Sequence, residues 1–203
     1  MANLKIPTEL PNPLTLKSWM KGLALCDSIL SPEWEYRYFS YDHAWGTGQE
    51  MASIRSGSGD SVYIVFQEGS VFVKGFSHEY PTNIPYRDYY KDVPPKLREH
   101  TTEVAFEPEL VNFCFWRDSS QSHWAYSVSP EQTPENAFFL FDVIDGNPRS
   151  YADFCAEYYE VDVSSDDIGC IFERQPLTEG LVKRLNADAD YSDILAEMKS
   201  TNS

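Results

Sequence analysis

The sequence predicts an α+β fold, in which an antiparallel β-sheet of about five or six strands packs against an N-terminal helix and a C-terminal helical segment. Between residues 33 and 128, aromatic and β-branched residues alternate with polar ones, which is the period of a strand. Before and after this region, apolar residues recur at helical spacing. With 203 residues and 42% hydrophobic residues, the chain can bury one large core. We therefore expect one domain over 1–203, divided into a helix plus β-meander (1–130) and a mainly helical part (131–203).

The N-terminal helix is predicted over residues 13–30. Asn12 can cap the helix, and Pro13 suits its first position because that position needs no backbone N–H. Pro32 ends it. The apolar positions that follow the helical period are Leu16, Trp19, Met20, Leu23, Cys26 and Leu30.

The strands are predicted to form an antiparallel meander. Tyr36, Phe39 and Tyr41 mark the first strand. The remaining strands are predicted at 51–55, 62–66, 71–75, 111–117 and 122–128. The segments 56–60 and 67–70, both with glycine, are typical hairpin connections. The segment 80–100 is too rich in proline for regular structure over most of its length, and it is predicted to be a long surface excursion that serves either as a lid or as a structural wrap.

Helices are predicted for most of the C-terminal part. The segment 134–144 is either a short helix or a buried strand, because its apolar run fits both. The motif Gly146-Asn147-Pro148 opens the next helix by the same cap-then-proline pattern as before. Three more helices begin at Ser164, Thr178 and Asp190.

The charge of the chain is strongly negative. It has 32 acidic and 16 basic residues, a net charge of −16, and residues 131–203 hold sixteen of the acids with only five bases. Unaided binding to nucleic acid or to an anionic membrane is therefore disfavoured, and a basic protein is the partner that this charge favours. No stretch reaches the roughly 18 apolar residues of a membrane span, and the first thirty residues lack a signal-peptide pattern, so we expect no membrane contact and a cytoplasmic protein.

The four cysteines are expected to be buried, reduced thiols. Cys26, Cys114, Cys155 and Cys170 are far apart, form no CxxC pair and have apolar or aromatic neighbours. A chain of this size does not need disulfides for stability, and a free cysteine packs like a small hydrophobic residue.

The segment 42–50 is a candidate ligand-binding loop. Asp42 and His43 could act as a base or as ligands, Trp45 could stack on a planar group, and Glu50 adds a carboxylate, while the glycines allow close approach of a ligand. The alternative is a tight connection whose tryptophan fills the edge of the core. The spacing matches no nucleotide-binding loop.

Three residues beyond this loop join the candidate site. His78 and Glu79 follow the fourth predicted strand, and Arg55 ends the second, where it could hold an anion or form a salt bridge. No HxH, HExxH or CxxC spacing is present, and no nucleophile motif, so we expect no metal, no cofactor and no catalytic residue.

Aromatic residues in an acidic chain indicate a second kind of site. Tyrosine and tryptophan are enriched in protein interfaces, and negative charge steers a basic partner. The candidate interface residues are Tyr86, Tyr89, Tyr90, Tyr158 and Tyr159. The alternative is that these aromatic residues belong to the core.

Five segments spread along the chain carry a resemblance. They are AWGTGQEMASIRSGSGD (44–60), GFSHEYP (75–81), FWR (115–117), GNPRSYADFCAEYYEVDV (146–163) and PLTEGLVKRLN (176–186). Together they resemble a bacterial family of uncharacterised proteins of about this length, which implies a bacterial setting but no activity or site residue. In its size, acidity and mixed α and β composition, the chain is also similar in type to immunity proteins that neutralise toxins.

Two functions follow from these patterns. The first is a non-catalytic interaction module, of the immunity type, whose acidic aromatic face binds a basic protein. The alternative is a small-molecule-binding protein or enzyme whose site lies where the 42–50 loop meets His78 and Glu79. That alternative predicts a pocket shared by His43, Trp45, His78 and Glu79.

Overall fold

A computed structural model describes residues 10–200 of the chain, and it has the predicted α+β architecture. The helices are α1 (Pro13–Leu30), α2 (Pro148–Tyr158), α3 (Ser165–Phe172), α4 (Glu179–Leu185) and α5 (Tyr191–Ser200). The strands are β1 (Phe39–Gly46), β2 (Gln49–Arg55), β3 (Ser61–Gln67), β4 (Ser70–Phe76) and β5 (Phe113–Arg117). They form one antiparallel sheet in the order β1-β2-β3-β4-β5.

The caps of α1 and α2 explain their predicted starts. The Asn12 side chain accepts hydrogen bonds from the backbone N–H groups of Leu14 and Thr15, and Asn147 caps α2 in the same way through Arg149. A proline occupies the first turn of both helices. The predicted helices that open at Ser164, Thr178 and Asp190 correspond to α3, α4 and α5.

Two features of the sheet differ from the prediction. Tyr36 is not in a strand, because residues Trp34–Tyr36 form a single 3₁₀ turn and β1 begins only at Phe39. The predicted strand 122–128 is wrong: Ala125 exchanges one pair of hydrogen bonds with Trp116, and no ladder follows. The neighbouring Trp124 turns into the core and donates to the backbone oxygen of Leu10, which draws this segment away from β5.

Apolar residues cover both faces of the sheet. The first core lies between one face and the helices, and it includes Phe39, Ile64 and Phe115 together with residues of all five helices. The second core lies on the other face, where Val65 and Phe72 pack against the segment 80–106. That segment contains three 3₁₀ helices, at Tyr86–Tyr89, Pro95–Thr102 and Val104–Phe106. It buries Tyr89, Tyr90, Val93, Leu97 and Phe106. It is therefore a structural wrap.

The structure also tests the predictions for the segment after Pro134 and for the four cysteines. The apolar run after Pro134 forms a 3₁₀ helix, Glu135–Phe141, and not a strand. All four cysteines are free thiols, of which Cys170 is half-buried and the other three are buried.

Candidate functional site

The 42–50 segment is a β-hairpin, not a loop. Asp42, His43 and Trp45 lie in β1 and Glu50 lies in β2, so that only Thr47 and Gly48 form the turn. Gly48 has a φ of 71°, which glycine adopts without strain. The pattern of aromatic and polar residues that suggested a loop is thus the pattern of two paired strands.

An irregularity in β1 separates two of the predicted site residues. Asp42 pairs with Met51 and Gly46 pairs with Gln49, so β1 spans more residues than β2 between these pairs. Such a bulge turns the side chains that follow it. His43 contacts the ring of Tyr41 at a centroid distance of 4.5 Å on the side of the first core, whereas Trp45 stacks on Phe106 in the second core. The two side chains therefore lie on opposite faces of the sheet.

Glu50 is the centre of a charged cluster. Its carboxylate accepts hydrogen bonds from Lys17, from Lys21 (2.8 Å) and from the Tyr41 hydroxyl (2.8 Å), and it lies 3.3 Å from Nδ1 of His43. Burial by itself would raise the pKa of Glu50, but these hydrogen bonds outweigh it and lower the pKa to about 2. Glu50 is therefore a fixed anion that bridges a pair of lysines on α1.

His43 is neutral at neutral pH. Burial lowers its pKa most, and the positive charge of Lys21 lowers it further, against the opposing effect of Glu50. Because Nδ1 faces the Glu50 carboxylate, that nitrogen carries the proton of the neutral ring, and Nε2 remains as a hydrogen-bond acceptor.

His78 and Glu79 lie at the other end of the sheet. The register places Glu50 opposite Phe66, whereas Arg55 pairs with Ser61, which in turn pairs with Phe76. Five strand residues separate these two levels, which is roughly 17 Å. His78 follows Phe76, so the structure does not bring it to His43, and Glu79 is exposed to solvent.

Asp60 orients His78. The buried carboxylate of Asp60 accepts from the backbone N–H of His78 (2.9 Å), lies 2.8 Å from its Nδ1, and accepts from the Ser56 hydroxyl (2.8 Å). Burial would raise the pKa of Asp60, but the bonds from Ser56 and His78 lower it below its ordinary value. Within the part of the chain that the structure describes, no nucleophile is hydrogen-bonded to His78, so the pair closes the loop 56–60 and performs no evident chemistry.

Arg55 stacks on an aromatic ring. Its guanidinium lies 3.9 Å from the ring centroid of Trp34 and donates to the backbone oxygen of that residue. No carboxylate among residues 10–200 pairs with it. A cation–π contact therefore holds it in place of a salt bridge.

The candidate interface tyrosines have different environments. Tyr89 and Tyr90 are buried in the second core, and Tyr86 is half-buried beside them. Tyr159 is half-buried and donates its hydroxyl proton to Asp27, so that Tyr158, at 38%, is the most exposed of the five tyrosines.

A pocket of about 390 Å³ opens between α1, β1 and the C-terminal helices, and we call it the α1–β1 pocket. Its volume lies in the range of small-molecule sites. Of the residues predicted for a ligand site, His43 alone lines it. The lining residues are Ser18, Lys21, Gly22, Ala24, Leu25, Ser28, Trp34, Arg37, Ser40, Tyr41, His43, Ile171, Arg174, Gln175, Leu177, Glu197 and Met198.

Two polar side chains in this pocket have no partner in the described part of the chain. The hydroxyl of Ser40 is buried and makes no hydrogen bond, but its register with Ser53 and Tyr63 places it on the second-core face of the sheet, away from Tyr41. Arg174 is exposed at the C-terminal end of α3, and its guanidinium has neither an ion pair nor a hydrogen bond. Arg37 differs, because it donates to the oxygens of Ser31 and Pro32 and pairs with Glu197.

Sequence reasoning missed most of these lining residues. Lys17 and Lys21 are four residues apart on one helix face, and like charges at this spacing destabilise a helix unless an anion lies between them. That signal could have indicated Glu50 as their partner. Ser40 and Arg174 carry no sequence signal, because they line the same pocket only once β1 and the turn after α3 are folded around α1.

Asp27 is a further residue that the sequence analysis did not indicate. It is fully buried in α1 and accepts hydrogen bonds from the backbone N–H of Phe39 (2.6 Å) and from the hydroxyls of Tyr151 and Tyr159. Burial raises its pKa to about 6, although these bonds oppose the rise. Asp27 joins α1, β1 and α2 and lines no pocket described above, so its role is structural.

Neither a metal centre nor a membrane span is found within residues 10–200. No group of three His, Cys, Asp or Glu side chains there could hold a metal ion. The helices there are too short or too polar to cross a membrane.

Comparison with known proteins finds no relative. No family model matches the chain, no curated protein matches it, and no solved structure matches it. The resemblance to a bacterial family and the similarity in type to immunity proteins therefore stay predictions.

Proposed function

We propose that this protein binds a small organic molecule in the α1–β1 pocket. The observation that carries the proposal is the pocket itself, which has a volume of about 390 Å³ and is lined both by apolar side chains and by polar groups from α1, β1 and the C-terminal helices. The neutral ring of His43 and the free guanidinium of Arg174 support the proposal, since both can add directed hydrogen bonds.

A thermal-shift screen with metabolites tests this proposal. A ligand at 100 times its dissociation constant adds about 2.7 kcal/mol to the stability of the folded state, which is a shift of several degrees. The variant Ser18→Trp places a large ring at the half-buried edge of the pocket, and Leu14→Trp places the same ring on an exposed position of α1 outside it. We expect hits for the wild type and Leu14→Trp that disappear in Ser18→Trp. Hits that persist in Ser18→Trp, or no hits at all, would contradict the proposal.

A second candidate function is binding of a basic protein. Trp34, Tyr36 and Tyr158 are exposed, at 58%, 62% and 38%. The Tyr158 hydroxyl donates to the backbone oxygen of Ser56, next to the Arg55 that stacks on Trp34, so the rings of Trp34 and Tyr158 lie on one surface, and Tyr36 is two residues from Trp34 in the chain. Exposed acidic residues flank them in the chain, namely Glu33, Glu35, Glu157 and Glu160. We call this set the acidic aromatic face, and it supports the interaction module of the immunity type.

The salt dependence of complex formation tests this second candidate. We expect a pull-down at low ionic strength to recover a basic protein that about 0.5 M salt releases, since salt screens exposed charges. The double variant Glu35→Gln, Tyr36→Ser should lose that protein, and Val104→Ser, at a site that is 82% exposed elsewhere, should keep it. Trp34 is left intact in this test because it also lines the pocket. A complex that survived high salt, or one that the double variant still formed, would exclude this face.

We also propose that the protein is located in the cytoplasm. Free thiols support it, because the described cysteines form no disulfide and a reducing compartment keeps thiols in that state.

A further inference from the structure

We propose that the ligand of the α1–β1 pocket is an organic acid, a carboxylate or phosphate ester carried on an apolar body. This inference rests on the proposed function and names the class of molecule that the pocket takes. It follows from the balance of charge in the pocket, from the groups that are free to bind, and from the apolar part of the wall.

The pocket is cationic although the chain is strongly anionic. Three permanently positive side chains line it, Lys21, Arg37 and Arg174, against the one carboxylate of Glu197. Behind the wall, Glu50 and Lys17 add one charge of each sign and leave this excess unchanged. The whole chain has a net charge of −16. Because salt at physiological strength screens charges beyond about 8 Å, a bound anion responds mainly to the local excess.

The position of the anion in the pocket depends on which of the lining cations already have hydrogen-bond partners. Arg37 is committed to Glu197 and two backbone oxygens, and Lys21 is committed to Glu50. Arg174 has no such partner within the described residues. A guanidinium can bind a carboxylate or phosphate through two parallel hydrogen bonds.

The rest of the wall requires an apolar body. Carbon-rich side chains from α1, β1, α3, the loop before α4 and α5 line the cavity, and a free inorganic anion would leave them in contact with water. They are Ala24, Leu25, Tyr41, Ile171, Leu177 and Met198. Burial of apolar ligand surface contributes about 25 cal/mol per Å², so the body adds affinity that phosphate or sulfate alone cannot supply.

Matched acid and amide probes test the inference. We would measure dissociation constants by ligand-detected NMR for a panel of matched acids and amides, from butyrate and butyramide to 4-phenylbutyrate and 4-phenylbutyramide. Inorganic phosphate serves as an anion that has no apolar body. Charge-assisted bonds to a guanidinium are about twice as strong as neutral ones, so we expect the acids to bind about tenfold more tightly than the amides. Affinity should rise with the length of the body, and inorganic phosphate should bind most weakly.

Variants assign the effect to the pocket. Arg174→Gln should abolish most of the preference for acid over amide. Lys91→Gln removes one positive charge from an exposed position outside the pocket, and it should leave both affinities unchanged.

The failures of the two proposals differ. Acids and amides that bind equally well to the wild type, but not to Ser18→Trp, would overturn the organic acid and leave small-molecule binding intact. A preference for acids that Arg174→Gln retained would overturn it as well. Absence of every probe and of every metabolite hit would overturn the proposed function itself.

Discussion

Arg174 is held in a backbone conformation that its side chain disfavours. Its φ is 57°, at the position after the C-terminal end of α3 where glycine is the usual residue. A residue with a Cβ in this left-handed region costs about 1 kcal/mol or more. An arginine kept here at that cost is consistent with a role for its side chain in the α1–β1 pocket.

The variant Arg174→Gly should therefore separate stability from binding. Relief of the backbone strain is partly offset by the greater chain entropy of glycine, roughly 0.5 to 1 kcal/mol, so we expect the free energy of unfolding to stay equal or to rise by up to about 1 kcal/mol. Ligand affinity should fall. Chemical denaturation and a binding titration on the same sample check both effects.

A second left-handed residue supplies the control. Glu68 has a φ of 48° in the turn between β3 and β4 and does not line the pocket. Glu68→Gly should have the same small effect on stability and none on binding. A variant Arg174→Gly that retained full affinity would remove this residue from the site.

Asp27 predicts a particular pH dependence of stability. Its pKa is about 6 in the folded chain because burial disfavours the carboxylate, whereas its ordinary value is 3.8. The folded state binds this proton more tightly than the unfolded state, so the stabilisation is complete below about pH 4 and is lost as the pH rises through 6. A shift of about two units corresponds to about 3 kcal/mol.

The variant Asp27→Asn removes this titration. We expect the free energy of unfolding of the wild type, relative to the variant, to fall by about 3 kcal/mol between pH 4 and pH 7. Glu50 and His43 titrate in both proteins, so their effects cancel in the difference. Urea denaturation across this range measures it, and a difference independent of pH would show that Asp27 is ionised throughout.

Among the elements, the wrap over residues 80–106 was the hardest to predict. Its prolines exclude α-helix and strand, and the sequence left a lid and a structural cover equally open. The structure decides between them through Phe106, whose ring stacks on Trp45 and Tyr63 at 5.3 and 4.8 Å. These contacts join the wrap to β1 and β3 and continue the second core.

A wrap and a lid respond differently to loss of this ring. If the segment is part of the core, Phe106→Ala lowers the free energy of unfolding of the whole chain by about 3 to 5 kcal/mol in one cooperative transition. Val104→Ala changes the same 3₁₀ turn at an exposed position and should stay within about 0.5 kcal/mol. A separate early transition of residues 80–106 in hydrogen exchange would identify a lid instead.

The elements also show why some predictions were right and others wrong. Helices α1 and α2 have local signals, an asparagine cap followed by proline, and they begin at the predicted residues. The segment 122–128 has the alternation of a strand but forms none, because Trp124 contacts the distant Leu10, and sequence spacing cannot show that contact. The bulge in β1, which moves Trp45 away from His43, is equally invisible.

On the scale of the whole molecule, the sign of the charge in the α1–β1 pocket differs from the sign of the net charge of the chain. The whole chain has a net charge of −16, whereas the side chains that line the α1–β1 pocket carry an excess of positive groups. Sequence composition predicts the first property, because it is a sum over residues. It cannot predict the second, which arises when α1, β1 and the turn after α3 converge.

An NMR titration of the ¹⁵N-labelled protein with the tightest organic acid of the panel tests the central claim most directly. The α1–β1 pocket predicts shift changes concentrated at the amides of Lys21, Ser40, His43 and Arg174, with saturation at a single dissociation constant. Changes centred on His78 and Glu79, or no saturable change at any amide, would contradict it.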